Sequence, residues 1–100
     1  MARQYLNLLG LAYRANKCSL GVDKIITDIQ QNRAKLILIA KDCSEQTSKR
    51  ITDKCKTYQI PCLRVVERES LSQAIGQTNR VAVAVLDNGF AKKLKSLIKH

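Results

Sequence analysis

Residues 34 to 42 read AKLILIAKD: Ala34 and Lys35, five unbroken apolar residues from Leu36 to Ala40, then Lys41 and Asp42. A strand with one face in water alternates apolar and polar residues, so an unbroken branched run marks a strand buried on both faces. Such a strand needs a layer of helices above it and another below. The run therefore predicts a layered α/β domain, and the lysines at its two ends fit a chain whose net charge is +10.

Further along the chain, VAVAVL (81–86) has the same character and is a second fully buried strand. CLRVV (62–66) is a third, with Pro61 ending the approach to it. Between the strands the period changes to that of helices. Leu6, Leu9 and Tyr13 recur at helical spacing, with Leu8, Leu11 and Ala12 widening the stripe, which predicts a helix over about 2–14. Val22, Ile25, Ile26 and Ile29 repeat at i, i+3, i+4 and i+7. They predict a helix over about 21–31 that leaves Lys24, Thr27, Asp28 and Gln31 on or near its solvent side. Ser44 is placed to cap a third helix carrying Ile51, Cys55 and Tyr58. Ser70 to Ile75 is a short helix stopped by Gly76, and Phe90, Leu94, Leu97 and Ile98 lie on a last one. Lys17 to Leu20 reads only as a short polar-to-apolar segment. Strands and helices in this order predict a three-layer α/β/α sandwich around a small mixed sheet of about four strands.

One hundred residues with 45% hydrophobic content suit a single domain with one core. Eighteen Lys and Arg against 8 Asp and Glu argue for a polyanionic partner, nucleic acid first and an anionic membrane surface second. No apolar run approaches the roughly 20 residues that span a bilayer, and the N-terminus lacks the pattern of a signal peptide. The expectation is a soluble cytoplasmic protein with no membrane attachment. Cys18, Cys43, Cys55 and Cys62 form no C-x-x-C pair, and the single histidine is His100, so no metal site is expected. The cysteines read as small buried hydrophobes in a reducing compartment. For Cys43 a second reading stays open, a thiolate favoured by a nearby helix N-terminus.

The chemical inventory is short. The chain has neither a G-x-x-x-x-G-K-[ST] phosphate loop nor a G-x-G-x-x-G turn, and no internal histidine to act as acid, base or ligand. Asp23, Asp28, Asp42, Asp53 and Asp87 suit exposed or helix-capping positions better than catalysis. No enzymatic activity, cofactor or small-molecule substrate is expected.

Taken together, YLNLLGLAYRANK (5–17), Gly21 opening a helix, AKLILIAKDCS (34–44), YQIPCLRVV (58–66), ESLSQAIG (69–76) and VAVAVLDNGFAKKL (81–94) resemble, in order and spacing, the YlxQ-type bacterial members of the kink-turn-binding ribosomal protein family, of the 7Ae and 30e type. The resemblance covers nearly the whole chain. It implies the same sandwich, a non-catalytic activity in binding kinked structured RNA, an association with the ribosome, and a monomer.

It also implies a site. Gly21 would let the backbone of a helix N-terminus approach a sugar-phosphate chain, where free N–H groups and the helix dipole favour phosphate; a turn that needs an unusual φ explains the same glycine. Lys17 and Lys24 would flank that turn and attract phosphate. Where many relatives have Asn-Glu to read sheared G·A pairs, this chain has Asp23 and Lys24, with Thr27 in place of a common lysine. Asp23 can accept from guanine amino groups, and Lys24 can donate to O6 or N7. The second implied surface is the segment Glu67, Arg68, Glu69 and Ser70 leading into Leu71 and Ser72. There Leu71 would meet an unstacked base beside the small Ser72, and simple core packing is the competing role for Leu71. Lys41 would border this surface.

Two further readings stay open. Lys49, Arg50, Lys54 and Lys56 on one helix, with Lys92, Lys93, Lys95 and Lys99 on another, are either an extra phosphate-binding face or a solubilising coat. The rival function is a protein-interaction module that docks on an acidic partner without RNA. A substrate-recognition domain of an RNA-modifying enzyme is a more distant third. Few aromatics (Tyr5, Tyr13, Tyr58, Phe90) argue against a stacking platform for extended single strands.

Overall fold

Leu36, Ile37, Leu38 and Ile39 form a strand with all four residues buried, in a computed structural model that describes residues 4–98. The elements in chain order are α1 (Gln4–Arg14), β1 (Cys18–Ser19), α2 (Val22–Gln30), β2 (Leu36–Ile39), α3 (Glu45–Tyr58), β3 (Cys62–Arg64), α4 (Arg68–Ala74), β4 (Ala82–Val85) and α5 (Asn88–Ile98). The sheet order is β1-β4-β2-β3, with β3 parallel to β2 and β4 antiparallel to both of its neighbours. Ile39 pairs with Ala82 and Leu36 with Val85. The C-terminal end of β2 and the start of β4 therefore share one pole of the sheet, and the start of β2 and the end of β4 share the other.

Successive side chains of a strand point to opposite faces, and the two central strands feed two cores in this way. Leu36, Leu38, Ala40, Val83 and Val85 join Tyr5, Leu9, Leu71, Ile75, Ala91 and Leu94 under α1, α4 and α5. Ile37, Ile39, Ala82 and Ala84 join Ile25, Ile29, Ile51 and Cys55 under α2 and α3. This is the expected three-layer sandwich. On the first face α1 and α4 approach closely at Gly10, where a Cβ would lie 2.6 Å from the Ala74 carbonyl oxygen.

Several boundaries differ from the sequence expectation, each for a physical reason. The segment after Lys17 is a strand, since Cys18 and Ser19 pair with Val85 and Ala84; two residues are too few to carry a period. Helix α4 begins at Arg68, two residues earlier than its local pattern suggests, because the Asp42 carboxylate accepts from the Arg68 backbone N–H at 2.7 Å. Regular β3 ends at Arg64, although bonds from Val65 N to Ile39 O and from Lys41 N to Val66 O, both 2.9 Å, extend the pairing to Val66. Residues 2 and 3 of the first expected helix, and Lys99, lie outside the described residues.

Asp28 is the clearest departure. Expected near solvent, its side chain has no exposed surface and is held by Lys24 Nζ at 3.1 Å and Arg33 Nη2 at 3.1 Å. Desolvation pushes its carboxyl up, but the Ser19 hydroxyl beside it and the two cations outweigh that and hold it below the ordinary carboxylate range. Cys43 is buried, and desolvation raises its thiol despite the nearby Arg64 and Arg68, so the thiolate reading is set aside. Burial likewise pushes the Cys18 thiol up to about 12.

Candidate nucleic-acid interface

Gly21 sits at the N-cap of α2 with φ 88° and ψ 130°, a backbone conformation that side-chain-bearing residues rarely adopt. Nothing lies within 4 Å of where its Cβ would be, so this corner is open to a partner. Glycine therefore meets two needs here, the turn and an open approach to the first free N–H groups of α2.

From Gly21 a continuous surface runs across the pole where β2 ends and β4 begins. Gly21 and Val22 share a cleft of about 130 Å³ with Asn79, Arg80, Val81 and Ala82. Asn79, at φ 56°, accepts from Arg68 Nη1 at 3.1 Å. Arg68 in turn donates from Nη2 to the Asp42 carbonyl at 3.1 Å and lies 3.5 Å from the Asp42 carboxylate through Nε. The neighbouring Lys41 lies 4.0 Å from Glu67, with both side chains more than half exposed. The ends of β2 and β3, the start of α4 and the α4–β4 loop are thus tied into one edge. The Arg68 backbone N–H holds the Asp42 carboxyl below the usual range.

On the α2 side Asp23, Lys24 and Thr27 are all exposed. Thr27 Oγ1 donates to the Asp23 carbonyl one turn back, and the Asp23 carboxylate receives Arg50 Nη2 of α3 at 2.9 Å. Lys24 divides its ammonium between solvent and the Asp28 carboxylate. The surface is therefore a mosaic of paired charges, in which carboxylates can accept hydrogen bonds and cations can meet an anion.

Gly21, Asp23, Lys24 and Thr27 come together on one side of this pole, and Lys41 and Arg68 on the other. Three expected members are elsewhere. Lys17 is at the opposite pole, where its carbonyl accepts from Leu86 N at 2.7 Å, because the chain passes from it through β1, whose Cys18 and Ser19 pair with Val85 and Ala84, before it reaches Gly21. Leu71 is fully buried among the first-face core residues. Ser72, 2% exposed, accepts from Arg80 N at 2.8 Å and donates to Arg80 O at 3.3 Å. Leu71 and Ser72 lie on the inner side of α4, buried away from this surface. Val66, beside Lys41, and Val22 and Val81, on the Gly21 cleft, are half-buried apolar residues at this pole.

Arg50, Asn79 and Arg80 are members that sequence reasoning did not place here. Arg50 stood among the basic residues of α3 read as either an extra phosphate-binding face or a coat, and its partner Asp23 is 27 residues away. A readable signal did exist for the other two: a polar pair directly before a buried strand emerges at that strand's end.

The chain and its fold are similar to known proteins. Residues 3–95 match the model of the ribosomal protein L7Ae/L30e/S12e/Gadd45 family. The chain is 47% identical over 95 residues to "RNA-binding protein YlxQ" of Bacillus subtilis (strain 168), covering 95% of each. A solved structure of a protein of unknown function from Bacillus halodurans C superimposes with a TM-score of 0.94 at 38% identity, covering 97% of this chain and 98% of that one. The Giardia lamblia 15.5kD RNA binding protein shares the fold at a TM-score of 0.81 and 14% identity, covering 93% of this chain and 80% of that one. With the family model spanning nearly all of the described residues, the chain belongs to the ribosomal protein L7Ae/L30e/S12e/Gadd45 family.

Proposed function

We propose that this protein binds structured RNA of kinked shape, of the kink-turn type, through the pole formed by Gly21, Asp23, Lys24, Thr27, Arg50, Lys41 and Val66. The observation that carries this is the open, positive-φ N-terminus of α2 beside a row of exposed donors and acceptors. The partner named for the Bacillus subtilis relative, RNA, is the one such a surface suits. Free N–H groups of α2 take a phosphate at the bend, and Asp23 and Lys24 face the base edges beside it. Arg68 acts as a positioning residue, since its guanidinium is committed to Asp42 and Asn79. The protein works as a monomer without a cofactor, in the cytoplasm and in association with ribosomal RNA. Binding of this kind uses shape and charge and needs no reacting group.

The placement is tested by Asp23→Ala with Lys24→Ala, measured against a labelled kink-turn RNA. Loss of affinity by tenfold or more, about 1.4 kcal/mol, supports it. Unchanged affinity in a folded double variant moves the site elsewhere.

A further inference from the structure

Four lysines from three separate parts of the chain lie toward the pole opposite the candidate kink site, three of them on one cleft and Lys17 on the other side of the end of β4. Lys17 and Lys35 flank the end of β4: the Lys17 carbonyl accepts from Leu86 N at 2.7 Å, and Lys35 N donates to the Val85 carbonyl at 2.8 Å. The chain then enters α5, where Lys92 and Lys95, one turn apart, line a cleft of about 320 Å³ with Lys35, Pro61, Asn88 and Ala91. No acidic residue lines this cleft. The nearest acid in the chain, Asp87, already accepts from Phe90 N at 2.9 Å in the first turn of α5. The ion pairs among the described residues involve none of Lys17, Lys35, Lys92 or Lys95. At the other pole Lys24, Lys41, Arg50 and Arg68 each face a carboxylate, while Arg80 takes part in none of the ion pairs among the described residues.

A coat that serves only solubility needs no such convergence, and lysines brought together without counter-charge repel one another. That cost is relieved when a polyanion sits on them. We propose that the Lys17–Lys35–Lys92–Lys95 pole is a second nucleic-acid contact, which holds the sugar-phosphate backbone of a separate RNA segment while the Gly21 pole holds the kink. The molecule measures 32 × 27 × 26 Å and the two poles lie at opposite ends of β2 and β4, so each pole offers its own contact to an RNA segment. An anionic membrane surface is the poorer occupant. Leu11 is the exposed large hydrophobic residue among those described, and it lies on α1 and not in this cleft. The proposal rests on the RNA reading in its choice of polyanion, but not on recognition of a kink.

The test compares two variants with the same change in charge, Lys92→Gln with Lys95→Gln and Lys49→Gln with Lys54→Gln, on a short kink-turn RNA, on a plain duplex long enough to cover one face, and on phosphatidylglycerol vesicles. The proposal expects the α5 pair to flatten the log–log salt slope on the duplex by about 1.4 to 1.8, from 0.7 to 0.9 for each lost phosphate contact. Affinity for the short kink-turn should stay within about twofold, and the α3 pair should leave both slopes unchanged. Equal slopes for the two variants, an unchanged slope for the α5 pair, or tighter binding of wild type to vesicles than to duplex would each overturn it. A failure of kink recognition shows instead as equal wild-type affinity for kink and duplex, and leaves the slope comparison intact.

Discussion

At Asp28 a buried carboxylate is satisfied by two cations whose own side chains are more than half in water. Because these bonds hold its folded pKa below the ordinary value, the unfolded chain takes up the proton first as the pH falls. Its contribution to stability is therefore fully present above about pH 4 and is lost as the pH drops through the folded value. Asp28→Asn should destabilise the protein by about 1–3 kcal/mol at neutral pH, the cost of weakening buried charge-assisted bonds. Thermal melts from pH 7 to pH 3 should show a shallower decline for the variant than for wild type; parallel declines would remove Asp28 from the account. Ser72 makes a similar case without charge, because its hydroxyl both accepts from and donates to the Arg80 backbone. Ser72→Ala leaves that N–H without its partner and should cost about 1–3 kcal/mol in denaturant titration, while a wild-type midpoint would show the pair to be redundant.

Among the elements, those whose period is written in their own residues were readable from sequence, and those set by distant partners were not. The buried runs 36–40 and 81–86 and the stripe of Val22, Ile25, Ile26 and Ile29 each carry their burial pattern locally, and the structure follows them. The start of α4 is fixed by Asp42, 26 residues away, and β1 exists only through its pairing with β4. Leu71 and Ser72 show the same limit for the site. A family likeness put them on a base-facing loop, whereas their helix turns both inward. The turn at Gly21 was legible because a glycine that opens an apolar helical stripe suits a positive φ, and the place of Arg50 was not, because its partner lies on another helix. The close contact of α1 and α4 supplies a test at this scale. Gly10→Ala would drive a methyl group against the Ala74 carbonyl at 2.6 Å and should cost about 1–3 kcal/mol by forcing the helices apart. Faster hydrogen exchange confined to α1 and α4 is the expected signature, and a wild-type exchange pattern would mean that the helices adjust without strain.

For the molecule as a whole, charge and topology act together. Topology gathers the open N-terminus of α2 and the ends of β2 and β3 at one pole, where Lys41, Arg50 and Arg68 face carboxylates, and leaves at the other a group of lysines outside the ion pairs of the described residues. A net charge of +10 on 100 residues draws any polyanion, so attraction alone says nothing about shape. In the proposed function, shape preference comes from the Gly21 pole, and it should survive salt that weakens the general attraction. The direct measurement is a titration of the protein with labelled kink-turn RNA and with a plain duplex of equal length, at low and at high salt. The account predicts at least a tenfold preference for the kink-turn, about 1.4 kcal/mol, that persists as both affinities fall with salt. Equal affinities with equal salt slopes would contradict it and leave a basic fold without a shape-reading site.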